Sequence, residues 1–252
     1  MKKLYEKSEL TFALACIGLY CALQSLANPL NQMIGLRYSA SAILCALQAA
    51  FLWRFIRQNG LSRRYGLCKS SVPARRFLYY IPLLVLMTRN FWNGIAVNFP
   101  LADTACYIVC MLCVGFVEEV IFRGLLFRAL ARDSVNMAIA VSSITFGLGH
   151  LLNLVNGSGA GLAENLFQVT GAIAIGFLFV ILFHRGGSLW PCVIAHAAIN
   201  IASAFANEEG LTMERRMIFH AALFAITAGY AFVLTRMLPK NPCANGDSAA
   251  ER

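Results

Sequence analysis

Two adjacent glutamates and an arginine interrupt an apolar segment of this chain. Glu118 and Glu119 follow a run from Ala105 to Val117 that contains no charged residue, and Arg123 comes four residues later. Ionisable side chains inside a membrane-spanning segment are rare, and they usually face a cavity or a partner where they serve a function. We therefore expect these three residues to mark the functional site.

The helical period assigns the two glutamates different roles. Glu119 and Arg123 are spaced i and i+4, so they share one helix face and can form an ion pair. Glu118 points about 100° away from Glu119 on a helix of 3.6 residues per turn. The sequence therefore predicts that Arg123 neutralises Glu119 and that Glu118 is free for chemistry.

Two later apolar segments each carry a short polar motif. Phe146 and His150 lie four residues apart in one segment, and His196 and Asn200 lie four residues apart in another. The same spacing places the members of each pair on one helix face. Phe146 is expected beneath the His150 ring.

Together these side chains could form a hydrolase for amide bonds at the membrane. A carboxylate and a histidine, Glu118 and His150, can hold and deprotonate a water. A second histidine and a carboxamide, His196 and Asn200, can donate hydrogen bonds to a developing oxyanion. Alternatively, Glu118, His150 and His196 could coordinate zinc, since two histidines and a carboxylate form a known catalytic zinc set.

Missing motifs narrow the class of hydrolase. No histidine is followed by glutamate, so the HExxH motif of zincin-type proteases is absent. Asp103, Asp133 and Asp247 are the only aspartates, and none lies in the middle of an apolar segment, which excludes an intramembrane aspartyl dyad. Gly186-Gly187-Ser188 loosely resembles a serine-nucleophile turn, but a loop joining two spans is the better interpretation.

The composition defines the fold class that must position these residues. Of 252 residues, 59% are hydrophobic and 13% are charged, with a mean hydropathy of +0.64. Soluble domains have about 45–50% apolar and about 25% charged residues. Long continuous apolar segments predict an all-α, polytopic transmembrane helix bundle.

About eight spans are expected, near residues 10–26, 39–55, 77–87, 104–127, 137–152, 165–183, 189–206 and 217–238. Arg89, just after the weak third span, is expected to line a polar interior.

The basic residues predict the orientation in the membrane. The net charge of +9 comes from residues in loops, so we expect contact with membrane lipids and no nucleic-acid partner. Cytoplasmic segments carry an excess of Lys and Arg, and this bias places both termini in the cytoplasm. The predicted inner segments then hold Lys2, Lys3, Lys7, Arg54, Arg57, Arg63, Arg64, Lys69, Arg75, Arg76, Arg128, Arg132, Arg185, Arg236, Lys240 and Arg252, against Arg37, Arg89, Arg215 and Arg216 outside.

The nine cysteines do not have the spacing of a secreted disulfide framework. Cys110 and Cys113 match CxxC, but no second CxxC or neighbouring histidine completes a structural zinc set. We interpret the cysteines as small apolar packing residues.

The three polar motifs, EExxxR, FxxxH and HxxxN, occur in this order on three apolar segments. The pattern resembles the CPBP family of intramembrane proteases, which includes CAAX prenyl endopeptidases of the Rce1 type and many bacterial homologues. The matching stretch runs from about Cys113 to Ile201. The resemblance implies that Glu118 is the catalytic base with His150 assisting, that His196 and Asn200 form the oxyanion site, and that Glu119 and Arg123 shape it.

The resemblance also implies a substrate class and a location. The substrate would be a peptide or protein, prenylated or otherwise membrane-anchored, cut near the cytoplasmic side of what is expected to be a bacterial plasma membrane. The family has been described both as zinc-dependent and as glutamate-type without an essential metal, so both alternatives stay open. Some relatives are linked to bacteriocin self-immunity, which makes a non-enzymatic immunity or signalling scaffold the competing hypothesis.

The chain divides into three expected regions. Residues 1–103 form N-terminal transmembrane helices with a basic cytoplasmic loop, residues 104–206 form the protease-like catalytic core, and residues 207–252 form the last span and a polar tail. A transporter is disfavoured because internal repeats and broken helices, apart from Pro82, are not apparent.

Overall fold

The computed structural model describes residues 1–70, 80–152 and 161–238, and these form an α-helical bundle. The helices are α1 (Lys2–Lys7), α2 (Glu9–Ile34), α3 (Ser39–Gln58), α4 (Ile81–Met87), α5 (Leu101–Leu130), α6 (Val135–Gly149), α7 (Leu162–Gly186), α8 (Trp190–Ala202) and α9 (Met213–Met237). Short 3₁₀ turns follow α4 at Arg89–Phe91 and α8 at Ser203–Phe205. The predicted all-α fold class is confirmed.

Local sequence signals set the helix boundaries. Ser8, Ser134 and Thr212 cap α2, α6 and α9, and each accepts a hydrogen bond from a backbone N–H of the first turn. Gly35 and Gly187 follow α2 and α7 in the left-handed conformation that commonly ends a helix.

Five helices in the described part of the chain are long and apolar enough to cross a membrane: α2, α3, α5, α7 and α9. Helices α6 and α8 are apolar but shorter. The third predicted span differs most, because its described helix, α4, has only seven residues and spans about 10 Å. Residues 77–79 of that expected span lie outside the described residues. The chain is an integral membrane protein.

Two glycines allow neighbouring helices to approach closely. A Cβ atom added at Gly115 of α5 would lie 2.9 Å from the backbone nitrogen of Ala197 in α8. One added at Gly147 of α6 would lie 3.0 Å from the backbone nitrogen of Ile173 in α7. Small residues at membrane helix interfaces permit such packing, and the contact at Gly115 brings together two helices that carry polar motifs, α5 and α8.

The segment after α3 supports the start of α8. The backbone N–H of Leu189 donates to the carbonyl of Gly66 at 2.8 Å, and the Ser188 hydroxyl donates to the carbonyl of Cys68 at 2.7 Å. Ser188 is buried, which fits its interpretation as part of a loop between spans. These bonds fix the turn from which α8 carries His196 into the bundle.

The same segment is attached to the start of α2 through Glu9. Arg64 Nη2 lies 2.7 Å from one Glu9 carboxylate oxygen, and the Tyr65 hydroxyl donates to the other at 2.5 Å. The hydrogen bond to Glu9 raises the pKa of Arg64, and burial together with the same carboxylate raises the pKa of Tyr65. Both groups therefore stay protonated at neutral pH, and the contact persists.

Candidate active site

The helix that carries both glutamates changes its winding directly after them. Helix α5 is regular from Leu101 to Glu119 and then adopts π-helical geometry over Val120–Leu126. The Ser142 hydroxyl of α6 donates to the carbonyl of Phe122 in this segment at 2.8 Å. Single π-turns inside α-helices occur frequently at functional sites. The sequence pattern, interpreted with a 3.6-residue period, gave no signal for this change.

Glu119 lies at the centre of a buried cluster. One of its oxygens is 3.0 Å from Arg123 Nη1 and 2.8 Å from His196 Nδ1. The side chains of Glu119 and Arg123 are fully buried, and that of His196 is nearly so. The ion pair expected from the i, i+4 spacing is present, and it supplies the partner that a buried carboxylate requires.

Phe146 joins the three motifs. Its ring lies 3.9 Å below the Arg123 guanidinium carbon, close enough for a cation–π interaction. The rings of His150 and His196 meet it edge-on, with centroids 5.3 and 5.6 Å away. The expected contact of Phe146 with His150 is therefore present, and the same ring also supports the second histidine.

Glu118 occupies a different environment from its neighbour. Its side chain is 12% exposed, whereas that of Glu119 is fully buried, and one of its oxygens lies 3.4 Å from His196 Nε2. The two glutamates, expected to point apart, thus approach opposite nitrogens of the same imidazole. Both glutamates can contact His196 because its ring has two nitrogens on opposite sides. The sequence could not show this, because the helical period describes one helix at a time.

Tyr20 of α2 is a site residue that the sequence motifs did not reveal. Its hydroxyl donates to the second oxygen of Glu118 at 2.5 Å. The residue lies about 100 positions before Glu118 in an apolar segment without a motif. The one sequence feature that could have indicated Tyr20 is a polar hydroxyl within an apolar span. Other tyrosines of the chain have the same feature, so it does not single out Tyr20.

His150 lies at the edge of this cluster, whereas the described contacts do not join the Asn200 side chain to it. His150 follows the last residue of α6, is partly exposed, and is within electrostatic range of Glu118, His196 and Arg123. Its Nδ1 lies 3.2 Å from the carbonyl of Phe146. Asn200 lies one turn beyond His196. Its backbone carbonyl accepts hydrogen bonds from the hydroxyls of Tyr107 and Ser203.

The described side chains do not form a ready metal site. Across residues 1–70, 80–152 and 161–238, no group of three or more His, Cys, Asp or Glu side chains is placed to hold a metal ion. Glu118 and His196 approach each other, but His150 Nδ1 is directed to a backbone carbonyl. The zinc set of Glu118, His150 and His196 stays a prediction from the sequence.

The cysteines of the described chain behave as packing residues. None of the described cysteines forms a disulfide, and Cys16, Cys45, Cys110 and Cys192 are buried. Cys45 contacts Cys110 and accepts a hydrogen bond from Gln24 at 2.8 Å.

Fold and site together define a class of protein: an integral membrane helix bundle with a Glu–Arg–His cluster in its interior and a second, more accessible glutamate beside it. Residues 100–202 match the family of type II CAAX prenyl endopeptidases, Rce1-like. The matched region contains all three motifs, so the resemblance to CPBP intramembrane proteases is confirmed over these residues. No curated protein and no solved structure matches the chain.

Proposed function

We propose that this protein hydrolyses a peptide bond of a membrane-anchored substrate, with Glu118 as the general base. The contrast between two adjacent carboxylates carries this proposal. Glu119 is fully buried and bound by Arg123 and His196, whereas Glu118 is partly exposed and has no contact with Arg123 among the described residues. A general base must reach water, and Glu118 is the carboxylate of the pair that can do so.

His150 is the second group of this proposed water site. It is partly exposed, like Glu118, and lies within its electrostatic range. Its ring is held edge-on by Phe146, which limits its rotation. We assign it the role of orienting the water that Glu118 deprotonates.

His196 lies between the two glutamates, with Nδ1 2.8 Å from a Glu119 oxygen and Nε2 3.4 Å from a Glu118 oxygen. A proton on Nε2 would point toward the space beside Glu118, where it can donate a hydrogen bond.

The proposed reaction uses these positions in sequence. Glu118 takes a proton from water while the water oxygen bonds to the carbonyl carbon, and the carbonyl π electrons move to the oxygen. The His196 Nε2–H and the Asn200 carboxamide stabilise this oxyanion. When the oxyanion collapses, the C–N bond breaks, and the proton held by Glu118 passes to the leaving amine.

Tyr20 is the positioning residue of this mechanism. Its hydroxyl binds one Glu118 oxygen at 2.5 Å, which fixes the carboxylate and leaves the other oxygen directed toward His196. Because Tyr20 lies outside the matched residues 100–202, the catalytic core of residues 104–206 depends on the N-terminal region 1–103 for a complete site.

The family description supports a prenylated CAAX-type substrate. We also propose a cut near the cytoplasmic face. A bacterial plasma membrane is the proposed location. We propose metal-free glutamate chemistry as the simplest account of the contacts around Glu118, and zinc dependence is the alternative that the assay must address.

The test is cleavage of a fluorogenic farnesylated CAAX peptide by the purified protein in detergent. Glu118→Ala is expected to abolish cleavage, and Glu164→Ala, which removes a carboxylate that caps α7, is the matched control. Cleavage that survives a zinc chelator supports glutamate chemistry, whereas chelator-sensitive cleavage restored by zinc would contradict it. A folded Glu118→Ala protein that cleaves at the wild-type rate would refute the mechanism.

A further inference from the structure

A polar cavity lies apart from the candidate active site, where the turn after α4 meets the segment after α8 and the N-terminal parts of α7 and α9. Its volume is about 200 Å³, and its lining includes Arg89, Asn93, Asn207 and His220, with Trp92 and Phe219 as aromatic walls. The sequence-based expectation that Arg89 lines a polar interior agrees with this position.

The walls of this cavity are fixed by hydrogen bonds between distant segments. The N–H of Ala96 donates to the carbonyl of Phe205 at 3.0 Å, and the N–H of Asn207 donates to the carbonyl of Gly94 at 3.3 Å. The Asn93 carboxamide donates to the carbonyl of Asn207 at 3.0 Å. The cavity is therefore a preformed feature of two joined segments, not a gap between independent loops.

The cavity lining contains two arginines, Arg89 and Arg216, and two glutamates, Glu164 and Glu208, but neither glutamate is paired with Arg89. Glu208 is paired with Arg216 at 3.2 Å, and Glu164 accepts the backbone N–H of Gly161 at the start of α7. Arg89 forms no ion pair with any acidic side chain of residues 1–70, 80–152 and 161–238. The only acidic residues beyond those ranges, Asp247 and Glu251, are in the C-terminal tail.

An arginine in this situation is suited to bind an oxyanion. Burial lowers the pKa of Arg89, but an arginine side chain remains protonated in proteins. A mostly buried cation without a counter-charge is costly. Its planar, forked set of N–H donors matches the oxygens of a phosphate group. Trp92, one of the aromatic walls, is of the residue type enriched at the level of lipid headgroups.

We propose that this cavity is a phosphate-binding site in which Arg89 holds the anionic oxygens. The phosphate can come from a phospholipid headgroup at the membrane surface or from free phosphate, since both present the same chemistry to Arg89. His220, whose ring is held by Phe167, Phe224 and the Thr170 hydroxyl, lies on the opposite wall near Arg89. The site is independent of the proposed peptidase mechanism.

Two measurements on the full chain distinguish the sources. In the first, inorganic phosphate is titrated at constant ionic strength into delipidated protein in a phosphorus-free detergent, and the unfolding temperature is followed by tryptophan fluorescence. Phosphate at about 100 times its Kd is expected to raise that temperature by several degrees. In the second, native mass spectrometry counts phosphatidylglycerol molecules that the protein retains.

Three variants make both measurements specific. Arg89→Gln should lose the response to phosphate and one retained lipid, whereas Arg132→Gln, an exposed arginine elsewhere, should keep both. Arg89→Lys keeps the positive charge but lacks the planar guanidinium donors, so it should bind phosphate at least several-fold more weakly. It replaces Arg89→Gln as the test variant if that protein does not fold. A retained lipid without a response to phosphate assigns the source to lipid. Absence of both signals in the wild type, or equal signals in Arg89→Gln and wild type, would overturn the proposal.

Discussion

Glu118 and Glu119 are adjacent in one helix, but the side chains around them differ, so we assign them different roles. Glu119 is bound by Arg123 and His196 in the interior, and Glu118 is bound by Tyr20 at a more open position. The first carboxylate organises the cluster, and the second is available to water. The assignment of chemistry to Glu118 therefore rests on its surroundings and not on residue type.

Tyr20→Phe tests whether the hydroxyl positions the Glu118 carboxylate. We expect kcat to fall about tenfold, because small misplacements of catalytic groups are costly. KM should change little, since Tyr20 contacts the Glu118 carboxylate. Steady-state cleavage at several peptide concentrations measures both quantities.

Tyr230→Phe is the matched control for this prediction. Tyr230 is also a buried tyrosine, but its hydroxyl has no hydrogen-bond partner among the described residues, so its loss should leave kcat unchanged. A wild-type kcat in Tyr20→Phe would contradict a positioning role.

At this scale the sequence predicts pairs within one helix well. The spacing of Glu119 and Arg123, and of Phe146 and His150, predicts contacts that the structure contains. Contacts between helices could not be predicted from the sequence, because they depend on how the helices pack. The link from Tyr20 to Glu118 joins residues 98 positions apart, and no local period encodes it.

At the scale of elements, the site depends on close approach of α5 and α8. Gly115 lies one turn before the glutamates and directly against Ala197, the residue after His196. The π-helical segment follows on the other side of the glutamates. The distance between α5 and α8 therefore controls whether His196 reaches both carboxylates.

Gly115→Ala tests this dependence. The added methyl group would lie 2.9 Å from a backbone atom that cannot rotate away, so α5 and α8 must separate. We expect a loss of about 1–3 kcal/mol in the free energy of unfolding and a decrease in kcat/KM of about 100-fold. Denaturant unfolding and peptide cleavage measure these quantities.

Gly229→Ala in α9 is the control, because a Cβ atom there meets nothing within 4 Å. It should leave activity unchanged and slightly increase stability, since alanine is the better helix former. Wild-type activity and stability in Gly115→Ala would show that the close contact is not required.

The sequence predicts the type of the elements better than their number and length. Apolar runs predict the long helices, whereas α4 is far shorter than the span expected around residues 77–87. Hydropathy detects apolar composition but not a turn such as Arg89–Phe91. This turn is held by hydrogen bonds from Asn90 to the carbonyl of Ile199 in α8 and from Asn93 to the carbonyl of Asn207 after α8. Tertiary hydrogen bonds decide the fold there.

For the whole molecule, the distribution of basic residues predicts the orientation. The segment between α3 and α4 contains five basic residues, Arg63, Arg64, Lys69, Arg75 and Arg76, and the turn between α5 and α6 contains Arg132. Positive charge is retained on the cytoplasmic side, so both termini are expected there. A C-terminal green fluorescent protein fusion should therefore fluoresce, and an alkaline phosphatase fusion at the same point should be inactive.

Fusions within residues 207–212, before α9, are the internal control for orientation. They should give the opposite result, because this segment precedes the last long apolar helix. A dark fluorescent fusion with an active phosphatase at the C-terminus would contradict the predicted orientation and place the active site at a different depth from the cytoplasm.

The central claim is that Glu118, not Glu119, activates water, and paired isosteric variants test it most directly. The measurement is kcat for Glu118→Gln and Glu119→Gln on one cleavable peptide, together with the free energy of unfolding of each protein. Glu118→Gln should keep near-wild-type stability and lose at least about 100-fold in kcat. Glu119→Gln should lose about 3–5 kcal/mol of stability, because Arg123 is left without its buried partner. A folded Glu118→Gln protein that retains kcat within threefold of the wild type would contradict the account.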